Sequence, residues 1–164
     1  MRLFGSPRVR RQAAADLPQE DRPLAVAALA EGGSAIATRT AVVVAGADGV
    51  EWRRPWHEVD RGAWDDDAGA ITLRWVDGSG TALTLAPRRR RRFLEVFREQ
   101  VQSSVVHVER LEIPDGVTVR AVIRRAEDGG LLSQVLADGP VPVSAAPEID
   151  ALEARSRRAV GLPG

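Results

Sequence analysis

The feature that most constrains this chain is a change of hydrophobic period at Pro87. Before it, short apolar segments alternate with turn residues: Leu24–Ala30, Ser34–Thr38, Ala41–Ala45, Val50–Arg53, Trp56–Asp60, Ala70–Val76 and Thr81–Leu85. Gly- and Asp-containing turns such as Glu31-Gly32-Gly33 and Asp77-Gly78-Ser79-Gly80 separate them. Short strands at this spacing form antiparallel sandwiches or barrels. Ile71, Leu73 and Trp75 fall on one face of their segment, Thr72 and Arg74 on the other. From Pro87 to about Val105 the period becomes helical. Phe93, Val96, Phe97, Val101 and Val105 make one stripe, and Arg88, Arg92, Glu95 and Glu99 lie off it.

The pattern then returns to strands. Val106–Ile113 and Val117–Arg124 are joined by Pro114-Asp115-Gly116, and Glu127-Asp128-Gly129-Gly130 leads into a return strand, Leu131–Ala137. Val117, Val119, Ala121 and Ile123 alternate with polar residues, as in a half-buried strand. Pro147–Val160 reads as a helix with acids in its first turn and Arg155, Arg157 and Arg158 near its end, stopped by Gly161 and Pro163. The fold class is therefore α+β and mainly antiparallel β. Residues 1–21 form a flexible basic tail, 22–106 a barrel closed by a helix, and 107–164 a three-stranded antiparallel unit with a C-terminal helix packed on it.

Length and composition narrow the function. The chain has 164 residues, 23 basic and 23 acidic side chains and no cysteine. Disulfides, thiol catalysis and Cys-based metal sites are excluded, and a neutral total supplies no protein-wide attraction to nucleic acid. Lys, Asn and Tyr are absent, so Arg is the only cation besides two histidines. Those codons point to a GC-rich bacterial genome, and an Arg here is no proof of a chosen anion ligand. The longest apolar runs have seven residues, against about 20 for a membrane span. The N-terminus lacks the apolar core of a secretory signal, so a cytoplasmic location is expected.

The run Ala35-Ile36-Ala37-Thr38-Arg39-Thr40-Ala41-Val42-Val43-Val44, the segment Pro55-Trp56-His57-Glu58-Val59 and the helix Arg88–Val105 resemble the bacterial pleckstrin-homology-like barrels. The whole chain also resembles an uncharacterised actinobacterial protein family. The resemblance implies a pleckstrin-homology-like barrel over roughly residues 22–106 and a binding role rather than catalysis. Phosphoinositide-binding members carry basic residues around the first loop. Here that loop is Glu31-Gly32-Gly33-Ser34, which turns the expectation toward protein or peptide binding.

Two groups are candidate sites. Arg88, Arg89, Arg91 and Arg92 stand at a helix start, where the dipole and free N–H groups favour anions. They are the candidate anion site for a lipid headgroup, a nucleotide or nucleic acid, and weak binding is expected. All four Trp lie between positions 52 and 75. Trp52, Arg54 and Trp64 are the candidate contacts for an unknown protein partner, because Trp and Arg anchor interfaces; Trp56 and Trp75 are expected in the core. Glu58, Asp60, Asp65, Asp66 and Asp67 lack the spacing of a calcium loop, and could pair with the Arg run in space. His57 and His107 stand alone, without a nucleophile or zinc motif. No enzyme, metal or cofactor is expected; protein–protein interaction or scaffolding is the leading function.

Overall fold

A computed structural model describes residues 17–164. The basic part of the expected tail, residues 1–16, lies outside the described residues. Residues 17–21 are not free: Leu17 packs on the first sheet, and Asp21 is fully buried. The chain divides after Gln102 into two compact units.

Among the described residues, the N-terminal unit holds seven strands and an α-helix. Strands β1 (Pro23–Ala28), β2 (Ser34–Thr38), β3 (Ala41–Gly46) and β4 (Gly49–Pro55) pair antiparallel in chain order. Strands β5 (Val59–Asp65), β6 (Ala70–Trp75) and β7 (Gly80–Thr84) form a second meander. Neither sheet closes on itself, so the expected continuous barrel is not formed. The break falls where Pro55 has no N–H to give to a ladder and Trp56–Glu58 coil into a 3-10 turn. The sheets touch at one isolated bridge, Leu29 to Leu85, flanked by Ala30 N–H to Thr84 and Ala86 N–H to Ala28.

That turn also corrects the fifth strand. The expected strand Trp56–Asp60 begins only at Val59 and runs on through Trp64 to Asp65. Gly62 lies in the ladder opposite Leu73. A Cβ there would stand 2.5 Å from the Phe97 ring, so the missing side chain lets the helix come close.

Helix α1 (Arg90–Ser104) buries Phe93, Val96 and Phe97 of the expected stripe, with Val101 half-buried, whereas Val105, the stripe's expected last member, already belongs to the next strand. These side chains join Ala25, Ala27, Ala35, Ala37, Val42 and Val44 of the first sheet and Ile71, Leu73, Trp75 and Leu83 of the second in one core. The opposite face of the first sheet carries a smaller cluster of Ile36, Ala41, Val43 and Ala45. Beside it, the Asp21 carboxylate accepts hydrogen bonds from Thr38, Thr40 and Arg53, the last at 2.6 Å. Burial opposes its ionisation, but these bonds together outweigh burial and hold it below the usual carboxylate range.

In the C-terminal unit, β8 (Val105–Ile113), β9 (Val117–Arg125) and β10 (Leu131–Ala137) form an antiparallel sheet with β9 at its centre. Helix α2 (Ala146–Ala159) packs on all three strands, setting Leu152 against Ile113, Val119 and Ala121. The expected alternation of β9 is incomplete. Arg124, read as a polar-face position, is buried as well, as is Val122 on the same face, and Arg124 donates to Ser104 Oγ at 2.8 Å. A central strand whose two faces are both covered loses its period-two signature.

Candidate functional site

The four indoles mark out β6. Trp56 and Trp75 are buried at 4% and 3% exposure, and Trp52 and Trp64 are half-buried at the rim of the core, as their parity suggested. Trp52, Arg54 and Trp64 do not form one patch. Trp52 meets Trp75 edge to face at 5.7 Å, and the Arg54 guanidinium lies over the Trp75 ring at 4.2 Å. Trp64 pairs across the ladder with Ile71, at the other end of β6. Four residues of strand separate the two ends, roughly 13 Å.

At the Trp75 end every charge is answered. Arg54 Nε donates to Glu58 at 2.7 Å, and a second nitrogen donates to Asp77 at 3.3 Å. Burial disfavours the Arg54 cation, but these two carboxylates more than offset it and raise its pKa. Asp77 accepts from the Ser79 hydroxyl and N–H, then from Arg54, and is held below its ordinary range. The Trp75 indole N–H donates to Thr81 Oγ1 at 3.0 Å. Trp52 and Arg54 are thus built into a closed polar rim.

The Trp64 end differs. The Arg90 guanidinium lies 5.3 Å from the Trp64 ring, and the Trp64 indole N–H donates to Asp66 at 2.7 Å. Asp65 caps the following turn by accepting from the N–H groups of Asp67 and Ala68. Sequence reasoning grouped Trp64 with the wrong cation; the structure brings it to the Arg run. The available signal was the pair of turn signals that fold β5, β6 and the helix start together.

Of the run itself, Arg88, Arg89, Arg91 and Arg92 are exposed and Arg90 is half-buried. Arg91 pairs with Glu95 one turn on, at 3.0 Å. Arg89 stands just before the helix with φ of 65°, a conformation that costs a non-glycine residue. Its carbonyl accepts the Phe93 N–H and so starts the helix. Among the described residues, Arg88, Arg89 and Arg92 have no ion-pair partner, nor do Asp65, Asp66 and Asp67. The pairing of acidic turn and Arg run expected from the sequence is absent at contact distance, although both flank Trp64.

His107 and Glu109 share one face of β8 with Nε2 and Oε1 3.2 Å apart, and Arg155 reaches the other Glu109 oxygen at 3.4 Å. The His107 contact, then Arg155, lowers the Glu109 pKa. Among the described residues no three His, Asp or Glu side chains converge as metal ligands, and no helix is long and apolar enough to cross a membrane. Comparison with protein-family models, curated proteins and solved structures finds no match.

Proposed function

We propose that the N-terminal unit is a non-enzymatic protein-binding module of pleckstrin-homology-like architecture, and that its contact surface is the Trp64 end rather than the Trp75 end. The architecture is supported by the chain order of four strands, three strands and a helix, with both sheets and the helix sharing one core. The likeness to the actinobacterial family belongs to the same reading. One observation carries the function: Arg90 lies over the half-buried Trp64, and its neighbours in the run, Arg88, Arg89 and Arg92, are exposed with no ion pair among the described residues. An aromatic anchor ringed by charge is the usual make-up of an interface centre. Trp52 and Arg54 serve the fold, because Trp52 packs edge-on against Trp75 and the Arg54 charge is already neutralised.

The test is capture of partners from a lysate of the organism that encodes the chain, with Trp64→Ala as control. A partner held by the native chain and lost with Trp64→Ala, at unchanged thermal stability, supports the reading. A partner that stays bound with Trp64→Ala but leaves with Trp52→Ala moves the site to the other end.

A second reading, binding of an anionic lipid headgroup or nucleic acid through Arg88–Arg92, draws on the same unpaired cations. Asp65, Asp66 and Asp67 weigh against it, since they would repel phosphate from the surface the Arg side chains present.

A further inference from the structure

We infer that the Trp64 end pairs with a second copy of this chain through a two-fold interface in which acidic turn meets Arg run; this rests on the reading above that this end binds protein. The turn after β5 presents three exposed carboxylates, Asp65, Asp66 and Asp67, and the start of α1 presents three exposed cations, Arg88, Arg89 and Arg92. Neither set forms an ion pair within the described residues. Arg90 over Trp64, Trp64 bonded to Asp66, and the Arg90 guanidinium 3.8 Å from where a Gly69 Cβ would stand hold the two sets side by side.

Their separation inside one copy is what makes the surface self-complementary. A two-fold axis brings each patch onto its own counterpart with the order reversed. Acid then faces base twice, three charges against three, around a central pair of Trp64 rings. The zero net charge of the chain leaves no long-range repulsion between copies. A polyanion matches only half of this surface, and a uniformly acidic protein matches the same half.

The experiment is analytical ultracentrifugation of the purified full chain, in low salt and in about 1 M salt, where screening shortens to roughly 3 Å. The native chain is expected to dimerise in low salt and to dissociate in high salt. A variant carrying Asp66→Arg and Asp67→Arg, and one carrying Arg88→Glu and Arg92→Glu, are each expected to be monomeric alone, weakened at least tenfold. Mixed one to one, they are expected to form a heterodimer, because one is then basic where the other is acidic. Should a reversed pair fail to fold, Asp67→Asn and Arg92→Gln test each half with milder changes and the same expected direction. A native chain that is monomeric in low salt, reversed variants that dimerise like the native chain, or a mixture that stays monomeric overturns the inference. Loss of a lysate partner with Trp64→Ala, in a pure chain that never dimerises, overturns the second copy and leaves the protein-binding reading standing.

Discussion

The two ends of β6 are built from the same materials and finish differently. Each has a tryptophan, a guanidinium over an indole ring and acidic residues in a nearby turn. At the Trp75 end Arg54 touches both its carboxylates, and the indole below it is 3% exposed. At the Trp64 end the acids hydrogen-bond to the turn and to the indole, and among the described residues Arg88, Arg89 and Arg92 reach no acid. The difference separates a cation used for folding from a cation left for something else. Composition cannot make that distinction in a chain whose only strong cation is Arg.

The strongest test of this comparison removes what the two ends share. Phe97 meets Trp56 edge to face at 5.5 Å and Phe93 at a tilt at 6.2 Å, and lies against Gly62. Phe97→Ala is expected to cost about 3–5 kcal/mol by emptying that site. Chemical denaturation reads it, and an unchanged midpoint would mean that α1 does not close the core. Gly62→Val probes the same contact from the strand. It should cost about 1–3 kcal/mol by overpacking, since the ring cannot retreat without moving the helix.

Next in size is the other neutralised cation, Arg53. Its partner Asp21 is fully buried, while 29% of the Arg53 side chain remains accessible. Asp21→Asn is expected to cost about 2–3 kcal/mol, less than a fully buried pair because solvent still reaches Arg53. The sign with pH follows from a carboxylate depressed in the fold. Its contribution is complete above the unfolded value near 3.9 and is lost as pH falls through the lower folded value. The stability gap between native chain and Asp21→Asn should therefore be constant from neutral pH to about pH 5 and narrow below about pH 4. A gap that does not change with acid would show that Asp21 does not titrate as this network requires.

Much of the fold was legible because its signals are local. The helical stripe at Phe93, Val96 and Phe97 appears as the sequence places it, and so do the hairpins at Asp77–Gly80 and Glu127–Gly130. What escaped depended on distant neighbours. A glycine in mid-strand at position 62 has no local explanation until Phe97 is known to lie over it. Asp21 reads as tail until Arg53, Thr38 and Thr40 converge on it. Arg124 reads as surface until its strand is found at the centre of its sheet. Which of the candidate residues meet in space was not legible either. Trp52, Arg54 and Trp64 are near in sequence, whereas Trp64 and Arg90 meet only because β5, β6, β7 and α1 fold back on one another.

A smaller effect separates the two arginines over indoles. Arg54→Ala removes the Trp75 contact and two ion pairs that are partly exposed, so about 1–2 kcal/mol is expected. Arg90→Ala removes only the Trp64 contact, and about 0.5 kcal/mol is expected. Thermal melts of the two variants side by side check the ranking; equal losses would erase the distinction between the ends.

The smallest effect is the most diagnostic. Changing Arg88, Arg89 and Arg92 together to Gln should move stability by no more than about 0.5 kcal/mol. The direction is upward. Cations beside a helix N-terminus oppose the dipole by a few tenths of a kcal/mol each, and no ion pair is lost in compensation among the described residues. Salt separates this from the Arg54 case. Screening weakens the repulsion within the run, so the native chain should gain stability from neutral salt where the Gln variant gains less. Melts of both chains across a salt series, at concentrations low enough to keep each monomeric, measure it. If the Gln variant is instead destabilised by more than about 1 kcal/mol, the run is bound into the fold like Arg54, and the Trp64 end has no charge to spare for a partner.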